Sequence, residues 1–235
     1  MFIHTATRST EEEIMDDLHM SGEQLINSLD QLATINKWLG GNKITIDGLK
    51  TILRQQPKEQ TIFIVDLGCG NGDMLRKVAD FGRKNGFTFQ LLGIDANAAT
   101  IDYAIELSAQ YPEIMFRKED VLSDSFETQT YDIAMCTLFL HHFDDAAASD
   151  FVTTLVKNAS IGILINDLHR HWLAYILFKA LTLVMQNEMT KKDGLTSILR
   201  AFKRKDFERF SKRIGYQSTI TWRWAFRYQW IIKKI

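Results

Sequence analysis

Ile64-Val65-Asp66-Leu67-Gly68-Cys69-Gly70-Asn71-Gly72-Asp73 runs from an apolar, β-branched stretch through three alternating glycines to an acidic residue at a helix start. Strand, glycine-rich turn and helix in that order place a ligand at the carboxyl end of a parallel strand, where open α/β sheets bind theirs. Glycines at 68, 70 and 72 let the backbone turn tightly and come close to a ligand, because no Cβ stands in the way. The spacing also separates nucleotide classes. A dinucleotide turn needs glycine three residues after the second one, and that position is Asp73. Asp66 sets a carboxylate just before the turn, where it repels a pyrophosphate and attracts an ammonium group. The turn therefore suits a zwitterionic amino acid better than a phosphate.

Outward from this turn, short apolar runs alternate with amphipathic segments from Thr61 onward, the pattern of a parallel sheet covered by helices on both faces. Strands are expected at 61–67, 87–94, 114–117, 131–137 and 161–166, and helices at 73–84, 98–110 and 146–158. Upstream, Ile14, Leu18, Leu25, Ile26, Leu29, Leu32, Ile35 and Leu39 keep helical spacing up to Gly40-Gly41; a shorter run, 46–53, and a linker with Pro57 follow. After Asn166 the alternation stops. An apolar helix over about 171–187, a polar loop with Lys191-Lys192-Asp193-Gly194 and two short helices to about 214 form an insertion. Two aromatic and β-branched runs, 217–224 and 226–234, then read as an antiparallel hairpin on the sheet edge. The expected fold is α/β: a Rossmann-like, seven-stranded, mostly parallel sheet with a C-terminal antiparallel hairpin. An N-terminal helical cap over 1–60 precedes a domain over 61–235, which carries a helical lid at about 168–214.

The chain has 235 residues, 46% of them hydrophobic and 24% charged, enough for one sizeable core with an elaboration. Its two cysteines, Cys69 and Cys136, lie in apolar runs and offer neither a disulfide framework nor metal-ligand spacing, so no metal is expected. Met1 to Glu13 shows no apolar signal core, which points to the cytoplasm. The most apolar stretch, Trp172 to Met185, is interrupted by Lys179 and falls short of the roughly twenty residues a membrane span needs. Charge is uneven. Residues 1–150 hold 12 Lys/Arg against 24 Asp/Glu and residues 151–235 hold 16 against 5, so the halves stand near −12 and +11. A basic C-terminal face suits peripheral contact with an anionic membrane or, more simply, balances the acidic half.

Asp66-Leu67-Gly68-Cys69-Gly70-Asn71-Gly72 resembles the first motif of the class I S-adenosylmethionine-dependent methyltransferases, an acidic residue followed by GxGxG. The resemblance covers residues 61–166 and, more loosely, the hairpin. It implies that Asp66 with Gly68, Cys69, Gly70 and Gly72 holds the methionine moiety, and that Asp95, beside Ala96 at the end of the second strand, takes the ribose hydroxyls. It further implies that Asp120 binds the adenine amino group, that Val121 packs on the ring, and that Thr137 and Leu138 line the cofactor edge of the cleft. Asn166-Asp167-Leu168-His169-Arg170 before the apolar helix, with Asp193-Gly194, Ser197, Arg200, Ala201 and Phe202 after it, resembles a bacterial branch related to quinone-biosynthesis methyltransferases. Members of that branch act in phenolic-lipid or polyketide pathways.

Transfer of a methyl group from sulfur is an in-line displacement that needs alignment more than a nucleophile, although an acceptor O–H or N–H benefits from a base. Four of the six histidines cluster after the fourth and fifth strands: His141, His142, His169 and His171. His142 and His169 are the favoured substrate-facing candidates, His141 is a further one, and Asp167 is placed to orient or charge an imidazole. The apolar insertion argues for a small hydrophobic acceptor, phenolic, quinone-like or polyketide. The acceptor atom stays open, as does the choice between monomer and homodimer. A nicotinamide-dependent oxidoreductase is disfavoured by Asp66 and Asp73. A non-catalytic module binding the same cofactor would bind it without transfer. Nucleic acid is not expected as a partner, because Trp222, Trp224, Phe226 and Trp230 lie in strands that need core partners.

Overall fold

The computed structural model describes residues 5–234; the outermost residues of the expected cap and domain, 1–4 and 235, lie outside it. Seven strands form one sheet in the order β3-β2-β1-β4-β5-β7-β6. They are β1 (Thr61–Leu67), β2 (Thr88–Asp95), β3 (Ile114–Lys118), β4 (Tyr131–Thr137), β5 (Ala159–Leu168), β6 (Ser218–Arg223) and β7 (Arg227–Lys233). The first five pair in parallel. β7 runs antiparallel to both β5 and β6. The strand order reverses between β1 and β4, so the crevice opens at the carboxyl ends of those strands.

Period-2 burial of continuous apolar strands creates two cores, one on each face. One gathers Ile64, Ile133, Met135 and Leu164 under α2 (Gly41–Leu53) and α3 (Asp73–Asn85). The other gathers Val65, Ala134, Ile163 and Trp230 under α6 (Asp145–Asn158) and α9 (Arg204–Ile214). Helix ends follow local chemistry. Asn97 accepts from the Thr100 amide to start α4 (Ala98–Leu107), and Gly86 in the left-handed region ends α3.

Several boundaries differ from expectation. The periodic run from Ile14 to Leu39 is broken, leaving a 3-10 turn at Ile14–Asp16 before α1 (Glu23–Trp38); Gly22, at φ 81°, forms the N-cap. α2 begins at Gly41 rather than 46, because Gly40 takes a left-handed conformation that turns one helix directly into the next. The short α5 (Asp124–Glu127), capped by Ser123, was not anticipated. β5 extends two residues further at each end, Ala159 pairing with Tyr131 of β4 and Asp167 and Leu168 with β7. The apolar insertion helix, α7 (Trp172–Leu181), is shorter than the expected 171–187. Lys191-Lys192-Asp193-Gly194 is not a loop but part of α8 (Glu188–Arg200), started by Asn187, which accepts from the Thr190 amide. Polar composition read as loop there because the helix turns those residues toward partners rather than into a core.

The two charged halves neutralise each other across the fold. Arg209 pairs with Asp145, Arg213 with Asp150 and Arg200 with Asp16. No helix among the described residues is long and apolar enough to cross a membrane. Cys69, in the glycine turn rather than a strand, and Cys136 are both free and buried.

Candidate active site

The glycine turn after β1 takes the backbone form its sequence implies. Gly68, Gly70 and Gly72 have φ of 67°, 53° and 75°, a region where a side chain costs free energy. At Gly68 a Cβ would also meet the Phe139 ring at 2.3 Å. The turn is tied to β2 by the Gly68 and Cys69 amides, both donating to the Ile94 carbonyl.

Asp66 points into the crevice with 2% exposure, and its Oδ1 has no hydrogen-bond partner. Burial, reinforced by the charge of Asp95, pushes its carboxyl up to about 8. A carboxylate so placed favours a ligand that brings its own positive charge. Asp95 accepts from the amides of Gly70 (3.2 Å) and Asn97 (3.0 Å) while facing the same crevice; burial raises its pKa as well. Ala96, Asp120, Val121, Thr137 and Leu138 line the crevice further along, together with Cys69 and Gly70. Asp120 uses Oδ1 to hold the Leu122 amide at 2.9 Å, and Val121 is buried. An unpartnered acid, an uncrowded glycine turn and a second acid one strand over fit the methionine, sulfonium and ribose of S-adenosylmethionine.

The cavity is about 680 Å³ and continues past Leu138 toward the other expected residues. His141, His142 and His169 all line it, and each has different partners. Asp167, buried on β5, pairs with His141: Oδ1 lies 2.6 Å from Nδ1, and Oδ2 accepts the His141 amide at 2.9 Å. His141 Nε2 lies 3.5 Å from Glu13. Burial alone would keep this ring neutral, yet the two carboxylates outweigh it and push the imidazole up to about 10. Two flanking carboxylates thus favour the charged form of His141, which suits a supporting ion pair better than a base. His169 has no carboxylate partner, its Nδ1 is unsatisfied, and burial with neighbouring His171, Lys203 and Arg170 pushes it down to about 4. A ring that weakly basic is a poor proton acceptor.

His142 remains, oriented by a residue the sequence did not single out for that role. Its Nδ1 lies 2.7 Å from Asp16 Oδ1, in the 3-10 turn at the N-terminus. Burial pushes the Asp16 carboxyl up, but His142 and Arg200 outweigh this and hold it well below the usual carboxylate range. Arg200 on α8 donates to Asp16 Oδ2 and to the His142 carbonyl, each at 2.6 Å. Asp193, one of the residues expected in a loop, accepts the Ile14 and Met15 amides at 2.7 and 3.0 Å and so fixes the turn that carries Asp16. Arg8 adds a second strap, donating to the carbonyls of His141 and Phe143. The only sequence signal for this network was an Asp-Asp pair after Ile14-Met15; nothing in the spacing connects it to residue 142.

No metal grouping was expected from sequence spacing, yet the fold brings donor atoms of Glu13, His141 and His142 all within 4.8 Å of one another. The positive charge favoured on His141 opposes a cation at that point. Beyond the histidines, α7 presents Ala174, Leu177, Phe178 and Leu181 to the cavity. Its other face, with Trp172 and Ile176, is exposed, so the apolar helix is not buried all round as its composition implied.

The sheet is Rossmann-like with its crevice at the carboxyl ends of β1 and β4, and residues 64–159 match the family described as a methyltransferase domain. Among solved structures the chain is similar to the plantazolicin methyltransferase BpumL in complex with S-adenosylhomocysteine, with 16% identity, TM-score 0.67, and coverage of 89% of this chain and 90% of that one. It is similar also to magnesium protoporphyrin IX methyltransferase, ChlM, from Synechocystis PCC 6803 with bound S-adenosylhomocysteine, at 18% identity, TM-score 0.56 and 85% of each chain. The CurJ carbon methyltransferase aligns at 12% identity and TM-score 0.60 over 81% of this chain and 53% of its own. No curated protein matches the chain in sequence.

Proposed function

We propose that the chain methylates a hydroxyl oxygen of a small, largely apolar acceptor, phenolic, quinone-like or polyketide in character, with His142 as the base. One observation carries this reading: a single cavity joins the acid-and-glycine crevice at Asp66 to the Asp16-oriented imidazole of His142, under the apolar face of α7. S-adenosylmethionine supplies an electrophilic methyl group on a positively charged sulfur. Asp66, Gly68, Cys69, Gly70 and Gly72 hold its amino-acid end, Asp95 with Ala96 the ribose, and Asp120 with Val121 the adenine. Thr137 and Leu138 bound the donor on the side facing the acceptor.

Asp16 accepts the Nδ1 proton of His142, which leaves Nε2 with its lone pair. His142 Nε2 would take the proton that an acceptor hydroxyl gives up when its oxygen is methylated. His141, charged between Asp167 and Glu13, fixes the loop from which His142 projects. The residues before Thr61 act as a helical cap and those from about 168 to 214 as a lid, and the Asp193 and Arg200 contacts join the two. Exposed Leu183 and Val184 near α7 suit delivery of an apolar acceptor from a membrane surface by a cytoplasmic enzyme.

Calorimetric titration with S-adenosylhomocysteine tests the cofactor half. Micromolar binding, weakened tenfold to a hundredfold in Asp66→Asn, is expected from loss of a charge-assisted hydrogen bond worth about 1.5–3 kcal/mol. Absence of binding, or preference for a reduced nicotinamide cofactor, would overturn the reading.

A further inference from the structure

A buried guanidinium in the acceptor half has no role in the chemistry above. Arg227, the first residue of β7, is 2% exposed and lines the same cavity. Among the described residues, neither its Nε nor its Nη1 has a hydrogen-bond partner. The carboxylate whose charge reaches it is Asp167, whose oxygens are already spent on His141 and the Leu168 amide. Burial accordingly pushes the guanidinium down to about 10. A buried cation without a counter-charge costs stability, which is tolerable where a ligand supplies the missing anion.

The surroundings are built for close approach. Gly41 opens α2, and a Cβ there would lie 2.8 Å from Arg227 Nη1. The amides of that helix start have no side-chain cap, so its positive end adds to the guanidinium charge. Position in the sheet separates this group from the cofactor's amino-acid end. Asp66 lies on β1, whereas β7 is three strands away across β4 and β5, about 14 Å at the usual spacing between strands. Arg227 instead pairs in register with Leu168, on the acceptor side beside His169.

We propose that Arg227 is the receptor for a carboxylate on the methyl acceptor. The acceptor is then an amphipathic hydroxy acid, with its apolar body under α7, its hydroxyl at His142 and its carboxylate on Arg227. Arginine suits this task because its planar fork meets a carboxylate with two parallel hydrogen bonds. This rests on the cavity being the acceptor site, and the test separates the two claims.

The protein saturated with S-adenosylhomocysteine is titrated with 3-(4-hydroxyphenyl)propanoate and dodecanoate, and with the methyl ester of each, beside Arg227→Met. In the parent at least one acid is expected to bind tenfold or more tightly than its ester, and in the variant that ratio falls to within twofold. S-adenosylhomocysteine affinity should differ by less than twofold between the two proteins, and the Tm of the variant should rise, because an unpaired buried charge is gone. Equal binding of both acids and their esters to the parent overturns the proposal. So does a tenfold loss of S-adenosylhomocysteine affinity in the variant, which would assign the guanidinium to the cofactor's carboxylate. A variant that melts lower or fails to fold also overturns it, by making the arginine structural. Failure of the parent to bind S-adenosylhomocysteine at all would instead sink the broader reading.

Discussion

The two ends of the cavity are built in different ways. At the cofactor end Asp66, Gly68, Gly70 and Gly72 fall within seven consecutive residues, and Asp95 reaches back to the Gly70 amide across one strand pair. At the acceptor end Asp16 meets His142 across 126 residues, Arg200 meets Asp16 across 184, and Asp193 holds Ile14 across 179. The first end is a local motif fixed by backbone conformation. The second exists only once the N-terminal turn docks on α8. A local site tolerates changes elsewhere in the chain, whereas an assembled one fails wherever its supports fail.

The sharpest way to break this contrast is His142→Gln. Loss of a general base is expected to lower kcat by about 10²- to 10⁴-fold, with a much smaller change in S-adenosylhomocysteine affinity, because the glycine turn is tied to β2 rather than to the ring. Asp16→Asn should lower kcat in the same direction by a smaller factor, since the ring keeps its base nitrogen but loses its orientation. Steady-state kinetics beside calorimetry reads both. A His142→Gln protein that turns over at the parental rate would leave alignment alone as the source of catalysis.

An intermediate effect tests the docking itself. Asp193→Ala leaves the partly buried Ile14 and Met15 amides without their acceptor, a change worth about 0.5–1.5 kcal/mol. Thermal melting should show the loss, and kcat should fall because the turn that carries Asp16 is no longer fixed. If stability falls while kcat holds, Asp16 is positioned by Arg200 alone.

Why one end was legible and the other not follows from the same geometry. The strand–turn–helix segment announces itself because β-branched residues, glycines and an acid must follow one another for the backbone to turn there at all. The mostly parallel sheet and the hairpin followed from that alternation, and Asp66, Asp95 and Thr137 all line the cavity. At the other end the sequence supplied candidates but not partners. Asp167 was expected to orient or charge an imidazole without the sequence saying which; the loop after β4 turns His141 inward beneath it, and no spacing rule specifies which of two adjacent histidines points down. Asp193 read as loop because its polar neighbours hide a helix whose buried face is itself partly polar. Arg227 was one basic residue among several in a hairpin, and only burial distinguishes it.

The smallest expected effect on turnover and cofactor binding is that of His141, and it separates support from chemistry. Its folded pKa of about 10 exceeds the ordinary value of 6.5. A group raised in this way contributes stability that is complete below the unfolded pKa and is lost as pH rises through the folded one. From pH 6.5 to 10 the folded state therefore holds a proton the unfolded state has released. Stability to urea should fall across that window with a slope of at most about 1.4 kcal/mol per pH unit from this group. His141→Gln is expected to remove that slope, leaving a less stable but flatter profile, while S-adenosylhomocysteine affinity at neutral pH stays near the parental value. If the slope survives the substitution, the titrating group lies elsewhere; if cofactor affinity falls with it, the two ends of the cavity are coupled through the loop between Leu138 and His142 and are not independently built.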